Sequence, residues 1–226
     1  MLNKRAFLAL VVMAVIVLWA GPALALGLGG LSYNIGPSFS IGAGIGWTMR
    51  DVHVIEDDDI TDEMTSGRFV LKGNVAPVRY VDVYGLFGAS DLQLDDGDFE
   101  GTLGMLWGVG LRPQLFPLTW DSPLNITLDA QYFEIATRDD TAQARLNELQ
   151  ASLVFAYVMR SLTPYGGIKY DHMITHFDDS NDDITGDLEW GMFIGCDYFV
   201  TQNVFFTVEL SIFAETSFFL STGYKY

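Results

Sequence analysis

The sequence predicts an all-β chain: a closed antiparallel transmembrane β-barrel of ten strands, with short turns at one end and long acidic loops at the other. Three observations predict it. Apolar and polar residues alternate with a period of two in ten separate segments, the pattern of strands with one greasy and one polar face. Half of the residues are hydrophobic and the mean hydropathy is positive, although the formal net charge is −17. Beyond the first 25 residues no run of 18 apolar residues exists, so any membrane crossing falls to strands.

The N-terminus reads as a secretory signal peptide over residues 1–25. Lys4 and Arg5 are its positive region, Ala6 to Trp19 its apolar run of 14 residues, and Ala23-Leu24-Ala25 its small-x-small cleavage site. That run is shorter than the roughly 20 residues of a spanning helix. The remaining 201 residues, 26–226, form one domain with 10 basic and 29 acidic side chains, a net charge of −19. This excludes nucleic acid as a partner, because phosphate binding needs clustered Lys and Arg. The single Cys196 falls on the greasy face of its segment and reads as a small apolar thiol.

Taken in order, the first segment, 36–49, sets Phe39, Ile41, Ala43, Ile45 and Trp47 against Ser40, Gly42, Gly44, Gly46 and Thr48. In the second, 67–75, Phe69, Leu71 and Val75 oppose Arg68, Lys72 and Asn74, and in the third, 81–90, Val83 and Phe87 oppose Asp82 and Tyr84. The fourth, 102–115, opposes Leu103, Met105, Trp107 and Val109 to Gly104, Gly108, Gly110 and Arg112. The fifth, 124–137, alternates Leu124, Ile126 and Leu128 with Thr127 and Asp129, then loses phase near Phe133-Glu134, where a bulge would explain the slip. In the sixth, 147–158, Leu149, Leu153, Phe155 and Tyr157 face away from Glu148, Gln150 and Ser152. The seventh, 165–176, puts Ile168, Tyr170 and His172 outward against Lys169 and Asp171. The eighth, 188–199, puts Trp190, Met192, Cys196 and Tyr198 against Glu189 and Asp197. Two more strands span Val204 to Tyr226, with Glu209 and Lys225 on the polar face.

Connections alternate short and long. Ala76 to Tyr80, Arg160 to Pro164 and Thr201 to Asn203 are short, and Pro117 to Pro123 is somewhat longer. Arg50 to Ser66, Asp91 to Gly101, Arg138 to Leu146 and Phe177 to Asp187 are long, and they hold 19 of the 29 acidic residues. A barrel has this asymmetry, with short periplasmic turns and longer loops outside the cell.

The stretch Gly195-Cys196-Asp197-Tyr198-Phe199-Val200-Thr201-Gln202-Asn203-Val204, followed by Glu209, resembles a recurring feature of the small porin-like outer-membrane barrels, the opacity-protein and OmpA-type superfamily. Pro164-Tyr165-Gly166-Gly167 is similar to the start of another strand of that group. Tyr224-Lys225-Tyr226 is similar to the terminal aromatic signal read by the barrel assembly machinery. The resemblance is strongest over 164–226. It implies a bacterial outer-membrane location and, for most members, eight strands rather than ten; the terminal signal departs from the family at Ser221 and Tyr226. It leaves activity open.

With the apolar set toward lipid, the lumen receives Arg68, Lys72, Asp82, Arg112, Asp129, Glu148, Lys169, Asp171, Glu189, Asp197, Glu209 and Lys225. Opposite charges in a narrow lumen should pair, which reads as a structural salt-bridge core; the alternative is a small polar conduit. Trp47, Tyr157, Trp190, Tyr198 and Tyr226 fall at strand ends, where amphipathic rings suit the membrane girdle. Asp178 to Asp183 contains an oxygen spacing that suits calcium, but it lacks the glycine and glutamate of a calcium loop, so no metal site and no cofactor are expected. The functional expectation is a non-enzymatic, monomeric outer-membrane barrel, structural or a narrow porin-like pore. Its partners are outer-membrane lipid and lipopolysaccharide. The alternative is an outer-membrane hydrolase, a protease or a lipid A-modifying enzyme, using His176 with Asp178 or Asp179.

Overall fold

The computed structural model describes residues 38–54, 57–78, 80–95, 99–117, 123–139, 142–178 and 183–226. The predicted signal peptide 1–25 and the lead-in after it lie outside the described residues. So do 118–122 of the fourth turn and parts of the acidic stretches at 96–98 and 179–182.

Eleven strands follow one another: β1 (Ser38–Val54), β2 (Asp57–Val78), β3 (Val81–Leu94), β4 (Glu100–Pro117), β5 (Leu124–Arg138), β6 (Gln143–Tyr157), β7 (Leu162–Phe177), β8 (Ile184–Gly186), β9 (Trp190–Phe199), β10 (Val204–Ile212) and β11 (Thr216–Lys225). Every pairing is antiparallel, and β11 closes on β1 from Ser40↔Lys225 to Met49↔Thr216. Ten strands therefore form the wall, as the alternation predicts, and the eight-strand alternative is set aside.

The eleventh element, β8, alters the shape. It has three residues and pairs on one side with β1 (His53↔Thr185) and on the other with β7 (Ile174↔Thr185). Both contacts lie beyond the upper limits of β9, β10 and β11, which are 10, 9 and 10 residues long, whereas β1 and β7 run 17 and 16. The barrel has ten strands at the end holding the C-terminus. At the far end it has eight, with β8 replacing three. Fewer strands make a narrower barrel.

The long acidic connections of the sequence are largely strand. β1 and β2 pair continuously past Arg50↔Met64 to His53↔Thr61, and β5 and β6 stay paired to Arg138↔Gln143. The bulge expected near Phe133-Glu134 does not form; the β5–β6 register runs unbroken from Leu124↔Tyr157. What changes there is polarity. Below it, Leu124, Ile126 and Leu128 face out, and Thr127, Asp129 and Gln131 face in. Above it, Phe133 and Ile135 face in while Glu134 and Arg138 face out. Strands β1, β3 and β6 make the same exchange at Val52, Leu92 and Leu146.

The interior of the far end is accordingly apolar. Val52, Met64, Leu92, Phe99, Leu106, Phe133, Ile135, Leu146, Met173 and Ile184 form one buried cluster. The near half shows the opposite face: Ile41, Ile45, Phe69, Leu71, Phe87, Val109, Phe155, Ile168 and Ile194 are exposed around its outside.

Candidate functional site

Two polar layers fill the lumen beneath the apolar cluster. The first is built on β2, β3, β4 and β5. Arg112 Nε donates to Asp129 Oδ2 at 2.5 Å, the Tyr84 hydroxyl donates to Asp129 Oδ1 at 2.5 Å, and Lys72 Nζ lies 3.9 Å from the centre of the Tyr84 ring. Across the barrel, the Tyr165 hydroxyl donates to Glu209 at 2.8 Å and the Thr207 hydroxyl to Asp197 at 2.7 Å. Asp82, beside Arg112 in the β3–β4 register, and Lys225 complete this layer toward the near end.

Glycine explains how these rings fit. Tyr84 sits opposite Gly110, and Tyr165 opposite Gly195, in the strand register. A Cβ on Gly110 would stand 2.1 Å from the Tyr84 ring, and one on Gly195 would stand 2.3 Å from the Tyr165 ring. Each aromatic lies flat against the bare backbone of its neighbour. The volume that lumen glycines vacate is occupied by these rings.

The second layer centres on Arg50. Its Nη2 donates to Glu215 at 2.8 Å, Glu148 at 3.1 Å and Asp171 at 3.1 Å. Lys169 donates to Glu215 and stands 3.7 Å from Asp171, and Arg68 stands 3.8 Å from Glu148. Gln150 donates to Asp171 at 3.1 Å and to Glu148. All six charged groups are buried, and three cations face three anions. The carboxylates come within 4.8 Å of one another, a grouping that could hold a metal. Arg50 already occupies their common centre, so the donor set is spent on a guanidinium. The guanidinium of Arg68 also lies 5.1 Å from the Phe133 ring, joining this layer to the apolar cluster above.

Of the twelve charges predicted for the lumen, eleven are on the inner face. Glu189 is not. It directly precedes β9, with its carbonyl already accepting from Asp171 N at 2.7 Å, and its side chain turns outward to accept from His172 Nδ1 at 2.7 Å. Sequence reasoning missed Arg50 and Glu215, having placed both in connections. The available signal was alternation continuing past Met49, with Arg50 and Val52 in phase. For Glu215 no periodic signal existed: it sits in the turn between β10 and β11, which folds inward with Ala214. His176 pairs with Asp183 at 2.6 Å rather than with Asp178; Asp179 lies outside the described residues.

The predicted girdle residues face outward. Trp190 meets Tyr170 edge-on at 5.3 Å, and Tyr226 meets Phe39 at 5.7 Å, at opposite limits of the apolar band. Trp107 and Tyr132, 5.8 Å apart, add to the upper ring. Beyond them the outward positions turn polar, at Asp51 on β1 and Glu134 on β5.

No protein-family model matches the chain, and no curated protein matches it. Solved structures match in shape. The chain is similar to an outer-membrane channel from Pseudomonas putida F1, at 9% identity and a TM-score of 0.50, over 88% of this chain and 100% of that one. The fold is that of the outer-membrane β-barrels. Looser similarities are to the translocator domain of the autotransporter NalP from Neisseria meningitidis (11% identity, TM-score 0.42, 87% and 90% coverage) and to Neisserial surface protein A (13%, 0.37, 83% and 95%). At these identities the likeness concerns architecture.

Proposed function

We propose that this outer-membrane barrel is a non-conducting, non-enzymatic structural protein. Its ten-stranded half is the membrane anchor, and its eight-stranded far end is an acidic head outside the cell. The observation that carries this reading is the apolar cluster. Leu92, Leu106, Phe133 and Ile135 are at 0% exposure within the narrow end of the lumen, above a neutral ion-pair layer. Close-packed side chains there leave no hydrated route for an ion. A narrow pore would need polar lining at that level.

In this reading the signal peptide is cleaved, the C-terminal aromatic residues engage the assembly machinery, and the protein works as a monomer. The head stands among lipopolysaccharide, with divalent cations bridging its carboxylates to anionic lipid. Planar-bilayer recording of the purified full barrel tests the central statement. Current should stay at leak level across the voltage range, and discrete conductance steps would establish a pore instead. Hydrolysis of a lipid or peptide substrate, lost on His176→Ala, would overturn the non-enzymatic reading.

A further inference from the structure

The chain contains three histidines, and all three bind one short segment. His53 on β1 holds Asp187 at 2.6 Å, His172 on β7 holds Glu189 at 2.7 Å, and His176 on β7 holds Asp183 at 2.6 Å. In each case Nδ1 faces a carboxylate. The three acceptors belong to residues 183–189, the strap formed by β8 and its flanks. The strap thus carries three acids, and both strands it bridges supply the imidazoles.

The strap has little else to hold it. Its ladder consists of three pairs to β1 and two to β7, with Asp187 N donating to the Asp51 carbonyl at 3.1 Å, Thr185 Oγ1 to the Met173 carbonyl at 2.8 Å, Asp171 N to the Glu189 carbonyl at 2.7 Å and the Tyr170 hydroxyl to the Glu189 carboxylate. Only Ile184 is buried into the core cluster. Its electrostatic surroundings are mostly negative: Asp51 on β1, Asp62 and Glu63 on β2 at the far side of β1, Asp95 just past β3 against Glu63, and Asp178 just past the end of β7. The cations nearby are Arg145 on β6, opposite His176 in the register and 3.6 Å from Glu134, and Arg50, whose side chain passes beneath Gly186. A neutral imidazole offers the strap a hydrogen bond. An imidazolium offers the same bond with a charge opposite to that of the strap.

We propose that β8 is a pH-responsive clasp: it closes the eight-stranded head between β1 and β7 most firmly in acid, and loosens as the three histidines lose their protons. Histidine changes charge between about pH 5 and 8, the range in which the carboxylates stay ionised. A protonated ring makes its contact a charge-assisted pair; a neutral ring leaves the strap acid a plain hydrogen bond, with Asp51 alongside and Arg50 beneath Gly186 as the neighbouring charges. Release of the clasp would unpair the far ends of β1 and β7 and uncover the core at Val52 and Met173. The side pairs are 40–50% exposed on at least one partner, so each is worth only about a two- to fivefold change in the closing equilibrium.

Hydrogen exchange on the full barrel in lipid discs, read on peptides covering 183–189 and corrected for intrinsic rates, tests the clasp. Protection should be about tenfold greater at pH 5.5 than at pH 8, while β5–β6 peptides stay constant. In the triple variant His53→Gln, His172→Gln, His176→Gln the pH dependence should vanish. Equal wild-type protection at both pH values overturns the proposal, and so does a pH dependence that survives in the triple variant. Should that variant fail to fold, His176→Gln alone, at the most exposed of the three sites, should reduce the dependence. An undiminished effect there, with the same result for His53→Gln and His172→Gln, overturns it equally.

Discussion

Replacing Arg50 with methionine tests whether the lumen is dry. The side chain keeps most of its length and loses its guanidinium, so Glu148, Asp171 and Glu215 lose the group that all three accept from, at 3.1, 3.1 and 2.8 Å. The layer goes from three cations against three anions to two against three. The remaining carboxylates stand within 4.8 Å of one another. At an effective dielectric constant of about 20, two unit charges near 4 Å interact by about 4 kcal/mol. Lys169 and Arg68 offset part of this, and removal of one partner of a buried pair generally costs about 3–5 kcal/mol. We expect a loss of that size in urea unfolding from lipid vesicles at neutral pH, followed by the fluorescence of the four tryptophans of residues 26–226. The double variant Arg50→Met, Glu215→Leu restores charge balance and should recover at least half of the loss. A single-variant cost below about 1 kcal/mol would mean that water screens the layer, and it would refute the closed-lumen reasoning along with the number.

Two further substitutions probe other parts of the barrel. Gly195→Val should push the Tyr165 ring off the β9 backbone and break its bond to Glu209, costing about 1–3 kcal/mol in the same unfolding measurement. Glu63, in the head and outside the apolar band, has its carboxyl raised above the usual range by burial, then by Asp95, Asp51 and Asp62. A carboxyl raised in the folded state favours the protonated form there, so its ionisation opposes folding once the pH exceeds the ordinary value near 4.5. Glu63→Gln should therefore stabilise the head at neutral pH, and the difference should disappear as the pH falls below that value. A gain that persists unchanged in acid would assign the effect to something other than charge.

Strand number, wall closure and the inward charges were legible because they rest on a two-residue period that twisted strands cannot evade. Ser40 to Thr48 against Phe39 to Met49 needs no partner to be read. Arg50 and Glu215 were hidden for different reasons. Arg50 follows directly in the inward series, but the acid-rich stretch after it has the composition of a loop. Glu215 reaches the lumen from a turn, and turns obey no period. The short β8 carries too few residues to show alternation, and its place between β1 and β7 is a matter of distant pairing. Glu189 illustrates the reverse error: it matches the period of β9, yet the ladder begins one residue later.

The apparent loss of phase at Phe133-Glu134 is the most instructive of these points. A strand in lipid must turn its apolar side outward, and the same strand in water must turn it inward. Slipping the register by one residue would satisfy both and would break the ladder to each neighbour. β5 instead keeps its register with β6 and exchanges side-chain chemistry, with Gln131 inward below and Phe133 inward above. The exchange on β1, between Arg50 and Val52, falls at the level where the wall gives up β9, β10 and β11 for β8. Leaving the membrane and narrowing the barrel are thus one event. A head that stands in water needs an apolar interior, and that interior, once packed inside a narrow wall, closes the lumen below it. If the barrel is non-conducting as proposed, the membrane boundary and the block to conduction share one cause: Phe133, Ile135, Leu106 and Leu92 pack the head and fill the lumen with the same side chains.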